Sequence, residues 1–86
     1  MKLKYEFIIN EVAGETVAVS VGKNRFNGYI KLNETGKFIF EALARDTTPE
    51  QISADMLASY PDATAEEVNE TVNEFIAKLQ AADMLI

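Results

Sequence analysis

The chain has 86 residues, 48% hydrophobic and 26% charged, a composition that suits one compact domain over residues 1–86 with a single modest core. Eight Lys and Arg against 14 Asp and Glu give a net charge of −6, and His, Cys and Trp are absent. These counts exclude disulfides, thiolate nucleophiles, a Ser-His dyad and ordinary zinc or transition-metal sites, and the acidic balance disfavours binding through neutralised phosphates.

The N-terminal stretch MKLKYEFIINEV holds an apolar run of only Phe7, Ile8 and Ile9, set between Glu6 and Asn10. A secretory signal needs roughly 7–15 apolar residues and a membrane span about 18 or more. The expectation is therefore a cytoplasmic protein that does not engage a membrane.

Apolar residues alternate from Tyr5 to Ile9 and from Val17 to Val21, placing Tyr5, Phe7 and Ile9 on one face of the first segment and Val17, Val19 and Val21 on one face of the second. Period two over aromatic and β-branched residues predicts strands. Ala13-Gly14-Glu15 supplies a short hairpin connection. A second turn at Gly22-Lys23-Asn24 and the stretch Phe26-Asn27-Gly28 lead into a short third strand, Tyr29-Ile30-Lys31-Leu32.

Beyond Leu32 the periodicity becomes helical. Asn33 is placed to cap a helix through Glu34, Ile39, Phe40 and Leu43 to about Arg45, with Glu34 at the positive end of the helix dipole. Thr48-Pro49-Glu50-Gln51 has the form of a capping box with Pro in the first turn, and opens a helix carrying Ile52, Met56, Leu57 and Tyr60 that Pro61 ends. Thr64-Ala65-Glu66-Glu67 is a second such box, followed by a stripe of Val68, Val72, Phe75, Ile76 and Leu79. The predicted fold is α+β: a three-stranded antiparallel meander followed by three helices, with helices two and three joined through Pro61-Asp62-Ala63 in a winged helix-turn-helix-like arrangement.

Such an arrangement invites a DNA-binding reading, which the charges oppose. Residues 1–37 carry six basic and four acidic groups (+2), whereas residues 38–86 carry two basic and ten acidic (−8). The third helix would present Glu66, Glu67, Glu70 and Glu74 against Lys78 alone, and such a face repels a duplex. It reads as a solvated outer surface. One flank, with Asn69, Asn73 and Gln80 beside Ile76, is polar and uncharged, the character of a peptide-groove wall as well as of an ordinary surface. The third strand, if last in the sheet, leaves an edge open to another strand, with Lys31 either keeping that edge soluble or serving a partner.

Enzymatic signatures are missing. No Gly-rich phosphate loop occurs, and Ser20, Ser53 and Ser59 lie outside any Gly-x-Ser-x-Gly elbow. The carboxylates do not fall in a calcium-loop pattern, and Tyr5, Tyr29 and Tyr60 read as core or groove residues.

Leu32-Asn33-x-Thr35-Gly36, followed by Ile39-Phe40 and Leu43, Thr48-x-x-x-Ile52 and a closing Leu79-x-x-x-x-Met84-Leu85, resembles the coenzyme PQQ synthesis protein D family over nearly the whole chain. The Leu-Asn-x-Thr-Gly segment is the most specific part. Asp83 stands where members often have Gly, and Phe40 where many have Trp. The resemblance implies a non-catalytic module without cofactor that captures the leader segment of a ribosomally made precursor peptide. The leader is then presented to a modifying enzyme, commonly a radical S-adenosylmethionine enzyme that carries its own iron–sulfur clusters. It further implies that the leader adds as a strand beside Tyr29, Ile30, Lys31 and Leu32 and lies against the helix bearing Val72, Phe75 and Ile76. Together with Asn69 and Asn73 of the uncharged flank, these are the candidate peptide-binding residues. Lys23, Arg25 and Lys31 near the strand point to acidic residues in the leader. The alternative is a regulatory or structural domain that binds another protein. Neither reading includes nucleic acid, so random duplex DNA at low salt is expected to show no mobility shift with this protein; a shift would revive the winged-helix reading.

Overall fold

The computed structural model describes residues 1–22 and 28–86. Of the expected second turn and the approach to the third strand, Lys23, Asn24, Phe26 and Asn27 lie outside the described residues, as does Arg25 of the basic cluster. Three antiparallel strands, β1 (Glu6–Val12), β2 (Glu15–Val21) and β3 (Tyr29–Leu32), form a sheet in the order β1-β2-β3. Helices α1 (Glu34–Ala42), α2 (Pro49–Ser59) and α3 (Ala65–Ala81) follow, so the fold is α+β as the two periodicities indicated.

Both long strands outrun the apolar alternation, because the hairpin closes at Val12↔Glu15 with only Ala13 and Gly14 between them. Both turn residues have positive φ, 52° at Ala13 and 81° at Gly14. That is the signature of the type I′ turn, whose twist matches the flanking strands. Gly14 adopts this conformation freely; Ala13 holds it against the clash of its own Cβ.

Cross-strand partners share a face of the sheet, so the register decides which residues meet the helices. Phe7 pairs with Ser20, Ile9 with Ala18, Ala18 with Ile30 and Thr16 with Leu32. This set faces the core, where Ala18 and Leu32 are buried and Phe7, Ile9 and Ile30 pack against them. The valine alternation of β2 therefore marks the outer face. Val17 is buried there between its cross-strand partners Asn10 and Lys31, while Ile8, Val19 and Tyr29 form an exposed row across all three strands.

All three helices begin on the caps read from the sequence. Asn33 accepts a hydrogen bond from the Gly36 amide (2.8 Å), Thr48 from Gln51 (3.1 Å) and Thr64 from Glu67 (3.1 Å), each stabilising its helix by about 1 kcal/mol. The Gln51 side chain reaches forward to Asp55 (3.0 Å). The first helix is shorter than expected, with Leu43 as its C-cap. Ile39, Phe40, Leu43, Ile52, Met56 and Val72 are the most deeply buried large side chains, and Phe40 meets Phe7 edge-on at 4.8 Å between ring centroids. Phe40 thus fills from α1 the space against the sheet.

The C-terminus of α3 closes in a Schellman motif: the Met84 amide donates to the Leu79 carbonyl (2.9 Å) and the Asp83 amide to that of Gln80 (3.0 Å). Asp83 takes the left-handed conformation (φ 57°) that glycine usually supplies. The chain then pairs with its own beginning, through Leu3↔Leu85 and the reciprocal Lys2–Ile86 backbone bonds, and Lys4 Nζ reaches Asp83 Oδ2 at 2.8 Å. The hydrogen bond to Asp83, and then its charge, raise the Lys4 ammonium above the ordinary lysine value. The tie is therefore fully present below that value and is lost as the pH rises through the raised one.

Two left-handed non-glycine residues make two stability predictions. Ala13→Gly and Asp83→Gly are each expected to raise the unfolding free energy by about 0.5–1 kcal/mol, the relief of left-handed strain outweighing the entropy of the added glycine. The exposed Lys4 pair lost with Asp83 adds little to the balance. Urea midpoints should rise with unchanged slopes; a fall in both would show that the two positions are unstrained.

Candidate functional site

Because β3 is last in the sheet, its side away from β2 pairs with no other strand among the described residues. An open groove of about 760 Å³ lies between β3 and the C-terminal half of α3 and extends under the sheet to Gly14, Glu15 and Thr16 at the hairpin end of β2. Alternation along β3 sends Ile30 and Leu32 toward the helices and sets Lys31 on the rim. Phe75, Lys78 and Ala82 supply the helical wall, since steps of three and four residues keep them on one stripe. Leu79 and Met84 line the groove from the core side.

The junction from β3 into α1 determines the shape of this groove. Leu32 is buried, Asn33 caps α1, and the Thr35 hydroxyl donates to the same Asn33 oxygen (3.2 Å). A side chain at Gly36 would place its Cβ 2.9 Å from Asn33 Oδ1 and 3.1 Å from Phe75 Cε2. The glycine thus admits the capping side chain and the Phe75 ring at once. The close approach is to the cap and to α3, whereas the nearest atom of the sheet, Leu32 Cδ2, stands at an ordinary 3.6 Å.

The sequence-predicted residues separate into three groups. Ile30, Lys31, Leu32 and Phe75 come together around the groove. Val72 and Ile76 are core residues, 0% and 4% exposed, and back the wall from within. Tyr29 points from the outer face of the sheet and is 60% exposed, while Asn69 and Asn73 are exposed about 120–160° around α3 from Phe75. The uncharged flank and the groove therefore lie on different sides of the helix. Sequence reasoning missed Lys78, Leu79, Ala82 and Met84. Their spacing from Phe75 is legible, but nothing local to α3 says which flank turns toward β3.

The groove's charges are Glu15, Lys31 and Lys78. Lys31 Nζ lies 3.4 Å from Glu15 Oε2 with both side chains well exposed, and Asp83 just beyond the groove is held by Lys4. The Lys78 side chain has no ion-pair or hydrogen-bond partner among the described residues. A wider depression of about 1030 Å³ lies along the opposite sheet edge, where Lys2, Lys4, Glu6 and Glu41 interrupt its apolar lining. Size does not decide between them, and both outer strands leave an open edge; the β3 groove is the one whose floor and helical wall, Ile30, Leu32, Phe75 and Leu79, are apolar with charges only at its margins. Among the described residues no cluster of three or more metal-ligating side chains occurs, and no helix is long and apolar enough to cross a membrane.

Gly36→Ala tests the junction. Alanine gains up to about 1 kcal/mol of helix propensity, but it forces out the cap, about 1 kcal/mol, and crowds Phe75, about 1–3 kcal/mol. A net loss of about 1–3 kcal/mol is expected, with amide shifts in α1, β3 and around Phe75. Unchanged stability would mean that the ring and cap can move aside freely.

Comparisons with known proteins agree with this fold. The fold matches the solved structure "TbiB1 in Complex with the TbiA(beta) Leader Peptide" with a TM-score of 0.72 and 21% sequence identity, covering 99% of this chain and 94% of that one. No curated protein sequence matches. The sequence pattern of PqqD, coenzyme PQQ synthesis protein D, matches residues 8–85. By that match over almost its whole length, the chain belongs to the PqqD family.

Proposed function

We propose that this protein is a peptide-recognition module that takes an extended leader segment of a ribosomally made precursor as a fourth strand on β3. It presents that precursor to a separate modifying enzyme, a radical S-adenosylmethionine enzyme, and performs no bond chemistry itself. The observation that carries the reading is the apolar groove between the open β3 edge and the Phe75 wall of α3. Family membership supports it, as does the fold shared with TbiB1, a protein solved with a leader peptide.

In this mode backbone hydrogen bonds along β3 give affinity, and alternate leader side chains entering over Ile30, Leu32 and Phe75 give specificity. Burying an apolar side chain contributes about 1.5–3 kcal/mol, against about 2–5 kcal/mol for ordering a flexible segment. At least two apolar anchors are therefore needed, and the groove is long enough for them. Holding the precursor beside the enzyme raises its effective concentration there.

Successive amides along β3 alternate between β2 and the open edge, so of Ile30→Pro and Lys31→Pro one removes an edge donor and the other breaks the β2–β3 ladder. The variant that keeps the wild-type melting temperature is expected to bind the leader of a precursor encoded beside its gene at least about tenfold more weakly, the loss of a backbone bond and of strand geometry. Isothermal titration measures this. Wild-type affinity in that folded variant would rule out strand addition.

A further inference from the structure

We infer that Lys78 selects an acidic residue in the bound peptide, at a defined offset from the apolar side chain that seats on Phe75. The inference rests on the peptide-binding reading of the groove and adds the chemistry of its occupant. The other charges of the groove lining, and Asp83 beside it, have partners among the described residues. Glu15 and Lys31 stand 3.4 Å apart, and Asp83 is bound by Lys4 at 2.8 Å. Among the described residues Lys78 is the charge of the lining whose side chain has no partner, and it is the lone basic residue of α3, whose other charged side chains are Glu66, Glu67, Glu70 and Glu74.

In a chain of net charge −6 this makes one end of the groove locally positive, beside apolar Ala82, Leu79 and Phe75. A lysine in the last turn also complements the helix dipole, but that role is served by any position of the turn and does not require one on the groove side. An acidic side chain lying there gains an ion pair; a basic one meets a like charge. Lys31, by contrast, offers a peptide only a cation already shared with Glu15.

For a peptide lying alongside α3, the helical spacing sets the offset. Phe75 and Lys78 are separated by about 4.5 Å along the helix axis, and an extended peptide advances about 3.3 Å per residue. The acidic residue therefore falls one or two positions from the apolar anchor. Its side of the anchor depends on the direction in which the peptide runs.

The test needs no known partner. A displayed library of random 15-residue peptides is selected against wild type, Lys78→Glu and Lys78→Ala, and the enriched peptides are titrated at two salt concentrations. Circular dichroism melts show whether both variants stay folded. Wild type is expected to enrich Asp or Glu one or two positions from an apolar residue, Lys78→Ala to lose that preference, and Lys78→Glu to invert it toward Lys or Arg. Replacing the acid by Lys should weaken wild-type binding about three- to tenfold at low salt and less at high salt. Peptides with alternating apolar residues and the same acidic content for all three proteins would overturn the Lys78 inference while leaving the groove reading intact. Selection of no peptide that perturbs the β3 and Phe75 amides would overturn the groove reading and the inference with it.

Discussion

The space that a side chain at Gly36 would fill is taken by two atoms of quite different origin, the capping oxygen of Asn33 at 2.9 Å and the ring of Phe75 at 3.1 Å. One absent Cβ thereby joins the end of β3, the start of α1 and the middle of α3. Leu32 leaves the strand into the core, Asn33 turns the chain and satisfies an orphan amide, and Thr35 steadies the cap. Because Phe75 rests against this junction, the wall of the groove stands in a set relation to the strand edge it faces. A site that depends on a helix lying at the right distance from an open edge needs such a joint.

The ends of the chain complete the frame. The Schellman turn after α3 directs Met84 into the core against Leu79, and the following residues pair with Leu3, so the last helix is tied to the first residues and through the Leu3 amide to the end of α1. Motion of α3 relative to the rest of the fold is opposed at its middle, by the packing of Phe75, and at its C-terminal end. Such restraint leaves less of the binding free energy to be spent on ordering the wall when a peptide enters.

Electrostatics divides the molecule in a way that suits a holder of peptides better than a holder of nucleic acid. The helical half carries the acidic excess, while the groove retains Lys31 and Lys78 at its margins. Pairing refines this: Lys31 and Lys4 answer Glu15 and Asp83, so the net charge of the chain says little about the field a peptide would meet. What the groove leaves open to a ligand, among the described residues, is a strand edge, an apolar floor and the Lys78 ammonium group.

Much of the fold was legible in the sequence because its determinants are local. Caps act over three residues, a strand alternates every two and a helix every three or four, so Asn33, Thr48, Thr64 and the valines of β2 announced their elements. The alternation could not say which face was inner, and the register turned Val17, Val19 and Val21 outward while Ala18 and Ser20 met the helices. The Leu-Asn-x-Thr-Gly segment likewise marked a helix start, but not that Gly36 would admit Phe75 from a helix 39 residues away. On α3 the apolar stripe placed Val72 and Ile76 inside, yet both flanks beside it were equivalent until the helix was packed. By itself the sequence determined the absence of His and Cys chemistry, the order of the elements, their caps and the motif between β3 and α1. Only the tertiary structure decided that Phe75 and Lys78, and not Asn69 and Asn73, border the open strand, because the rotation of a helix about its axis is set by everything it packs against at once.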